Sequence, residues 1–410
     1  MIGHYFHSTF SSLKIRNYRL YFFGQVISIS GTFMQQVAQG WLVLKLTSSG
    51  TALGVVLGLQ YLPILLIGPY GGLIADRFSK RRLMLVTQAS FGLLAFILGV
   101  LVYTNLIQLW MLYIIAFCYG LTNAFDSPAR QTFVIEMVGK EKLRNALTLY
   151  VSGVNMARII GPSIAGILII VIGLAPCFLL NAFSYVVVIV MILLLKKEEL
   201  QLTPRAIETK GQIKEGLNYV RSNPVLLHVL LMMTVVGTLT YEFQVSLPIF
   251  AKFTFLSNAQ GYGILYTALG IGGVIGGLIS AGQKQTKPFM YVLFSFLFGI
   301  AVLVASFMPT LLFASLSMIF VGMCSIVFTS LGNTLLQLES RPEMRGRVMS
   351  LWAIAYAGST TIGGPIIGWI GQIGNPRVAL ATGAVAAFIA GGWGAFNLLS
   401  FRFSRLRMKK

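Results

Sequence analysis

The sequence predicts an all-α membrane protein whose twelve transmembrane helices form two pseudo-symmetric six-helix bundles. Three observations predict this fold class: a composition poor in charge, twelve apolar stretches of bilayer-crossing length, and motifs that recur in the second half. Of the 410 residues only 10% are charged and 56% are hydrophobic, and the mean hydropathy is +0.80. Soluble domains carry about 25% charged residues, and disordered chains have low hydrophobicity. The composition therefore excludes both classes.

Twelve stretches are predicted to span the bilayer, because a spanning helix needs about 20 largely apolar residues. They are 18–46, 52–75, 83–103, 109–134, 143–172, 176–195, 225–251, 259–282, 289–307, 311–338, 348–372 and 378–400. The predicted domains are a cytoplasmic N-terminus (1–17), a first bundle (18–195), a linker (196–223), a second bundle (224–400) and a basic cytoplasmic tail (401–410). In the linker, Ile207, Ile213, Leu217 and Val220 are spaced for the apolar face of a short surface helix.

The basic residues predict the orientation of the spans. With the N-terminus assigned to the cytoplasm, all but four of the 31 Lys and Arg residues lie on that side. The exceptions are Lys45, Arg158, Lys252 and Arg377. This distribution obeys the positive-inside rule and predicts a multi-pass protein of the cytoplasmic (inner) membrane with both termini in the cytoplasm. It also accounts for the net charge of +20 without a nucleic-acid partner.

Three features recur at an offset of just over two hundred residues. They are Gly-Gly-Leu-Ile at 71–74 and 276–279, Gly-Pro at 161–162 and 364–365, and the lysines Lys45 and Lys252. Because each half has an even number of spans, the halves should be related by an axis along the membrane normal. A cargo site between the halves, near mid-membrane, and alternating access by rocking of the halves follow from that arrangement.

The run Gly-Leu-Ile-Ala-Asp-Arg-Phe-Ser-Lys-Arg-Arg at 72–82 resembles the major facilitator superfamily signature between the second and third helices. Asp-Ser-Pro-Ala-Arg-Gln at 126–131 and Gly-Pro-Ser-Ile-Ala-Gly at 161–166 are similar to its exporter branch, which includes the enterobactin exporter and macrolide efflux proteins. The superfamily resemblance covers essentially the whole chain. One departure is Ala116, which replaces an arginine that many proton-driven members carry in the fourth helix, so their proton-relay scheme is not carried over.

The resemblance implies two further sets of residues. A cytoplasmic charge network that holds the halves together would comprise Asp76, Arg77, Asp126, Arg130 and Glu136. Asp126 and Arg130, four residues apart, can also pair with each other on one helix face. Small residues and prolines of the second, fifth and eleventh helices form the second set, Gly72, Gly161, Pro162, Gly166, Gly364 and Pro365. The family associates the fifth-helix motif with export, and close helix packing is the alternative explanation. The proline is expected to kink the helix, because it removes a hydrogen bond.

Polar residues inside the spans are candidates for the substrate or proton pathway, since ionisable groups in hydrocarbon are costly. They are Glu242, Arg158, Asn155, Gln35, Gln36 and Gln39. Glu242 is predicted to bind a proton or a cationic cargo, to make an inter-helix hydrogen bond, or to lie near the outer rim. Arg158 either contacts cargo or locks helices together through a carboxylate or carbonyl partner. The glutamines either line a cavity or hold helices together.

The sequence contains no phosphate-binding loop, nucleophile elbow, zinc-protease motif or clustered Cys and His ligands. We therefore expect no enzyme activity, no metal, no cofactor and no use of ATP. The predicted function is export of a small amphipathic or hydrophobic molecule by a monomeric proton antiporter driven by the proton gradient. Uptake by the same fold, and a non-transporting receptor or assembly factor, are the alternatives. A siderophore-like anion would suit Arg158, and a cationic drug would suit Glu242.

Overall fold

The computed structural model describes residues 10–201, 212–283 and 286–399. The chain folds as two compact units. Unit 1 comprises Met1–Gln39 and Leu66–Glu208, and unit 2 comprises Gly40–Leu65 and Thr209–Lys410. Residues 40–65 therefore pack with the C-terminal helices, although they belong to the first predicted bundle.

Six long helices form the first half of the chain. They are α1 (Arg16–Thr47), α2 (Gly50–Arg77), α3 (Lys80–Tyr103), α4 (Leu109–Gly139), α5 (Glu141–Val171) and α6 (Ala175–Leu193). Helices α4 and α5 are separated at Gly139, whose φ of 69° lies in the left-handed region that glycine adopts without strain. Short 3₁₀ helices precede α1 (Ser11–Lys14) and follow α6 (Lys197–Glu199).

The second half begins with the short linker helix α7 (Gln212–Ser222). The remaining helices are α8 (Pro224–Leu239), α9 (Phe243–Ile249), α10 (Ala259–Gly282), α11 (Pro288–Phe307), α12 (Leu311–Glu339), α13 (Arg345–Ala353), α14 (Thr360–Ile373) and α15 (Pro376–Gly394). Helices α9, α13 and α15 each continue into a π-helical turn, at Phe250–Thr254, Ile354–Gly358 and Ala395–Leu399.

The predicted fold class is confirmed. Each of the twelve predicted spans coincides with a helix or with two consecutive helices in the described part of the chain. By length and hydropathy, 10 helical segments qualify as membrane spans. The other two predicted spans coincide with α1, which carries several glutamines, and with the interrupted pair α13 and α14.

The helix interruptions do not lie at the Gly-Pro motifs. Helix α5 is continuous through Pro162, and α14 is continuous through Pro365, so neither helix ends at the Gly-Pro motif, and the expected kink stays a prediction. Neighbouring helices in a membrane bundle can satisfy the carbonyl that proline leaves free. The seventh predicted span is interrupted instead between Leu239 and Phe243.

The linker helix α7 packs on α13 through a glycine. Gly216 lies against the Arg347 side chain, and Glu215 forms an ion pair with Arg347 at 2.6 Å. Val220 is buried and Leu217 is 37% exposed, and both residues line one pocket with Leu227 and Leu230 of α8. Leu217 and Val220 therefore share one face of α7. Ile207 and the side chain of Ile213 lie outside the described residues.

A glycine substitution can test the close packing of helices α10 and α12. A Cβ at Gly322 would overlap the backbone carbonyl of Leu269, and a Cβ at Gly272 would overlap that of Ile319. We expect Gly322→Ala to lower the midpoint of thermal unfolding in detergent, because overpacking costs about 1–3 kcal/mol. The gain in helix propensity, about 1 kcal/mol, does not offset the upper part of that range.

The control for this substitution is Gly282→Ala at the end of α10, where an added Cβ has nothing within 4 Å. It should leave the unfolding midpoint unchanged or raise it slightly. Equal midpoints for the Gly322 and Gly282 variants would contradict the close approach of α10 and α12.

Candidate functional site

The charged centre of unit 1 is the pair formed by Asp126 and Arg130 on α4. Asp126 is fully buried, and its Oδ1 accepts hydrogen bonds from Thr87 Oγ1 at 2.6 Å and Gln88 Nε2 at 2.9 Å. Its Oδ2 accepts from Arg130 Nε at 3.0 Å and also from Arg130 Nη2. The pair that the spacing predicts is therefore present, and the carboxylate has four donors around its four lone-pair positions.

This pair lies in the wall of a cavity within unit 1. The cavity has a volume of about 390 Å³ and is lined by residues of α1, α3, α4, α5 and α6. Small-molecule sites commonly enclose about 300–1,000 Å³. Arg130 is held in place at the cavity by two further bonds from Nη1, to Gln25 Oε1 at 3.0 Å and to the Tyr150 hydroxyl at 3.2 Å.

Glu242 occupies the interruption between α8 and α9 in unit 2. Its backbone carbonyl accepts hydrogen bonds from the amides of Val245 and Ser246, which begin α9. The side chain is only 3% exposed. Its Oε1 has no hydrogen-bond partner among the described residues. An ionised carboxylate with an unsatisfied oxygen is costly in such a setting, so this group is suited to holding a proton.

The Glu242 carboxyl group lies directly against α14. A Cβ at Gly363 would lie 2.8 Å from Oε1, and a Cβ at Gly364 would lie 3.6 Å from Oε2. A Cβ at Gly363 would therefore crowd the carboxyl group, whereas 3.6 Å at Gly364 is an ordinary contact. On the other face of the same stretch, Gly364 contacts Gly54 of α2. Glu242 and residues 40–65 are therefore packed against one short stretch of α14.

We call the contact between residues 40–65 and α14 the glycine seam. It is built by Gly50 and Gly54 of α2, which lie against Gly368 and Gly364 of α14. A Cβ at Gly50 would lie 2.6 Å from the Gly368 carbonyl oxygen, and a Cβ at Gly54 would overlap the Gly364 carbonyl. At the end of the seam, Ser49 Oγ donates to Gln372 Oε1 at 2.6 Å. Small residues allow this close approach of two backbones.

Lys252 closes the end of α1 within unit 2. Its Nζ donates to the Leu44 carbonyl at 2.6 Å and to Ser48 Oγ at 3.2 Å. A cation is favoured at a helix C-terminus, where carbonyls lack intrahelical partners.

Among the described residues Arg158 has an aromatic partner, and no carboxylate or carbonyl partner is seen there. Its guanidinium lies 5.6 Å from the centroid of the Phe33 ring, a cation–π contact within unit 1. Arg158 and Asn155 are both half-buried. Phe33 lines the unit 1 cavity, so Arg158 lies next to a residue of its lining.

The three glutamines of α1 differ in their surroundings. Gln35 is buried and accepts a hydrogen bond from Asn181 Nδ2 of α6 at 2.7 Å, so it holds two helices together. Gln36 and Gln39 are half-buried, and the buried Oε1 of Gln36 has no hydrogen-bond partner among the described residues. The structure does not bring Gln35 and the Arg130 pair into one hydrogen-bonded group.

Parts of the predicted charge network lie outside the described side chains. For Gly72, Asp76 and Arg77 the structure describes the backbone of α2 but not the side-chain surroundings. Glu136 is buried near the end of α4, and its carbonyl accepts a hydrogen bond from the Gln201 amide at 2.8 Å. The role of these residues as a gate stays a prediction.

The fifth-helix motif packs against α1. A Cβ at Gly161 would lie 2.5 Å from the Ser30 carbonyl oxygen and 2.7 Å from Phe33 Cβ. Pro162 and Gly166 are buried in the same helix. In unit 2, Gly364 and Pro365 pack on residues 54–58. These contacts account for the small residues through helix packing.

Residues 7–404 match the family model described as "Transmembrane secretion effector". The chain belongs to this family of major facilitator transporters. The match covers nearly the whole chain, so this transporter is a multi-pass membrane protein with small-molecule cargo rather than an enzyme. The superfamily resemblance of the signature at 72–82 is thereby confirmed.

Curated relatives of this transporter include siderophore and macrolide carriers. It is 26% identical to the Staphyloferrin A transporter of Staphylococcus aureus, over 81% of this chain and 84% of that protein. It is also 26% identical to Macrolide efflux protein A of Streptococcus pyogenes, over 82% of this chain and 86% of that protein. For the Enterobactin exporter EntS of Shigella flexneri the identity is 26%, over 78% of this chain and 77% of that protein.

Solved structures support the fold. A bacterial homologue of the human lysosomal transporter Spinster has a TM-score of 0.70 at 14% identity, covering 96% of this chain and 98% of that chain. A POT family transporter in complex with 5-aminolevulinic acid has a TM-score of 0.75 at 12% identity, covering 95% of this chain and 96% of that chain.

Sequence reasoning missed the aromatic lining of the unit 1 cavity. Phe91, Tyr119, Tyr150 and Tyr185 were not candidates, yet they line it together with Phe33. One signal was available, because residues 119, 123, 126 and 130 recur at helical spacing on one face of α4. The glycine seam had no such signal, since its two partners are about 310 residues apart.

Proposed function

We propose that this transporter exports a small amphipathic or hydrophobic molecule from the cytoplasm in exchange for protons. The observation that carries the proposal is Glu242, a carboxyl group 3% exposed whose Oε1 has no hydrogen-bond partner among the described residues. Such a group is favoured in its protonated form and releases the proton when water or cargo reaches it. The proton gradient is the energy source, and no nucleotide is required.

Export is supported by the names of the relatives, two of which are described as an efflux protein and an exporter. In this proposal the protein works as a monomer in the cytoplasmic membrane, with both ends of the chain in the cytoplasm. Alternating access moves a central site between the two sides of the membrane.

Transport by purified protein in proteoliposomes, without ATP, tests the proposal. Enterobactin and erythromycin serve as probes, and an internal pH dye follows proton movement. We expect at least one probe to discharge an imposed pH gradient and to be moved against its own concentration gradient. A probe that moves equally fast with and without the pH gradient contradicts proton coupling, and movement that runs only inward in intact cells contradicts export.

A further inference from the structure

The unit 1 cavity has walls suited to a flat ring. Phe91 lies between two tyrosines, with its ring centroid 4.7 Å from Tyr119 and 5.5 Å from Tyr185. Phe33 and Tyr150 supply further aromatic surface. Aromatic side chains bind planar groups by offset stacking and edge contacts. The lining therefore favours an aromatic group over a compact aliphatic one.

The carboxylate in this cavity is not available to a cationic ligand. Asp126 is fully buried, and its two oxygens already accept from Thr87, Gln88 and Arg130. An amine entering the cavity would need to displace one of these donors. The amine would lose its hydrating water on entry, and Asp126 could replace that water only by giving up one of its present partners.

Hydrogen-bond donors, in contrast, are in excess around Arg130. A guanidinium has five N–H donors, of which four are engaged by Asp126, Gln25 and Tyr150. Gln25 must direct its Oε1 at Arg130, because arginine only donates. Gln25 does not itself line the cavity, so the donor left for a ligand there is the fifth N–H of Arg130, a lining residue.

A second cation lies next to a ring that lines the cavity. The Arg158 guanidinium is 5.6 Å from the Phe33 ring centroid, and Arg158 follows the cavity residue Val154 by one helical turn. With Arg130 and Asp126, which line the cavity, two arginines and one carboxylate leave a net positive charge at or next to it. The remaining N–H of Arg130 and this positive charge both select a ligand rich in acceptor oxygens.

We propose that the unit 1 cavity binds the aromatic, anionic part of the cargo, a ring carrying a phenolate or a carboxylate, and excludes aromatic amines. This inference rests on the proposed transport function and assigns the chemical class of its cargo. The inference distinguishes aromatic acids from lipophilic amines as cargo. An aromatic acid fits the cavity, whereas a lipophilic amine lacks a carboxylate partner in it.

Equilibrium binding to the full-length protein in lipid nanodiscs tests this assignment. The probe is 5-fluorosalicylate, an aromatic acid with a phenol, followed by fluorine NMR line broadening against empty nanodiscs. The comparison probes are 4-fluorobenzylamine, an aromatic cation, and trifluoroacetate, an anion without a ring. We expect broadening of 5-fluorosalicylate alone, reversed by unlabelled salicylate. Equal broadening of either comparison probe overturns the proposal.

Variants locate the binding. Arg158→Gln and Phe33→Leu, on half-buried positions, should each weaken 5-fluorosalicylate binding by about tenfold. Arg158→Lys should bind more tightly than Arg158→Gln, because it keeps the charge. The matched control is Arg19→Gln at an exposed arginine of α1, which should bind like the parent protein. Unchanged binding in both cavity variants overturns the proposal, provided that their thermal unfolding matches that of the parent.

This experiment uses no gradient and no vesicle interior, so it is independent of proton coupling. Binding of 5-fluorosalicylate without gradient-dependent transport would reject the antiport mechanism and keep the cavity assignment. Proton-coupled transport without binding of 5-fluorosalicylate would keep the antiport mechanism and reject the cavity assignment.

Discussion

Glu242→Gln is expected to uncouple transport from the pH gradient. In a one-for-one exchange of a proton for uncharged cargo, one pH unit sustains up to about a tenfold cargo gradient, because it is worth about 1.36 kcal/mol. The Glu242→Gln variant should sustain no cargo gradient. Glutamine keeps the shape of the side chain, but it has no acidic proton to release. Downhill exchange of cargo between the two sides should persist.

The measurement is the steady-state accumulation of the transported probe in proteoliposomes at imposed gradients of zero and one pH unit. Glu339→Gln is the matched control, since Glu339 is an exposed carboxylate at the end of α12. It should accumulate the probe as the parent does. A Glu242→Gln protein that still accumulates the probe about tenfold would remove this residue from the coupling mechanism.

The same accumulation experiment on a variant of Asp126 should show a different defect from that of Glu242→Gln. Both carboxyl groups are buried, but Asp126 has four donors whereas Glu242 Oε1 has none among the described residues. Removing one partner of a buried ion pair is strongly destabilising, by about 3–5 kcal/mol. A change at Asp126 therefore acts on the folding of unit 1, and a change at Glu242 acts on proton exchange.

The sequence predicts the helices well because hydrocarbon leaves few choices. Each spanning segment must satisfy its own backbone hydrogen bonds, so an apolar stretch of sufficient length is a helix wherever it packs. The positions of ionisable residues in those helices follow directly. Glu242 and Arg158 are for that reason found without a structure.

The partners of those residues are not encoded locally. Arg158 faces the Phe33 ring, because the close packing of Gly161 on α1 brings Phe33 beside α5. Likewise the interruption at Glu242 has no proline at that position. Such features depend on which helices meet, and helix contacts join residues far apart in the sequence.

The glycine seam illustrates the same limit and carries the remaining prediction. Residues 40–65 belong to the first half of the sequence but pack on α14, whose Gly363 and Gly364 also contact the Glu242 carboxyl group. In the proposed alternating-access cycle, rocking of one half of the sequence against the other would require the seam to separate and re-form. We therefore expect the tightness of the seam to set the balance between the packed and separated arrangements.

Gly54→Ala is expected to reduce transport by about tenfold or more. The added Cβ would overlap the Gly364 carbonyl and lie 2.6 Å from the Gly364 carbonyl carbon. Overpacking of this kind costs about 1–3 kcal/mol, which shifts a two-state equilibrium by about 5- to 150-fold. The arrangement with the seam packed should become the minor one. Each transport cycle should then slow at the step that re-forms the packed seam.

Thiol crosslinking measures the seam directly. Cysteines at Ser49 and Gln372, whose side chains share a 2.6 Å hydrogen bond, are introduced after replacement of the three native cysteines, Cys118, Cys177 and Cys324. A short bifunctional thiol reagent joins them, because a hydrogen bond between Ser49 Oγ and Gln372 Oε1 separates the two Cβ atoms by more than the Cβ–Cβ distance of a disulfide. Gly54→Ala should slow their crosslinking in parallel with the loss of transport. Gly392→Ala is the matched control, a glycine of α15 where an added Cβ has nothing within 4 Å. Loss of transport with unchanged crosslinking would mean that the seam does not govern the cycle, because the methyl group would then act without loosening the contact it occupies.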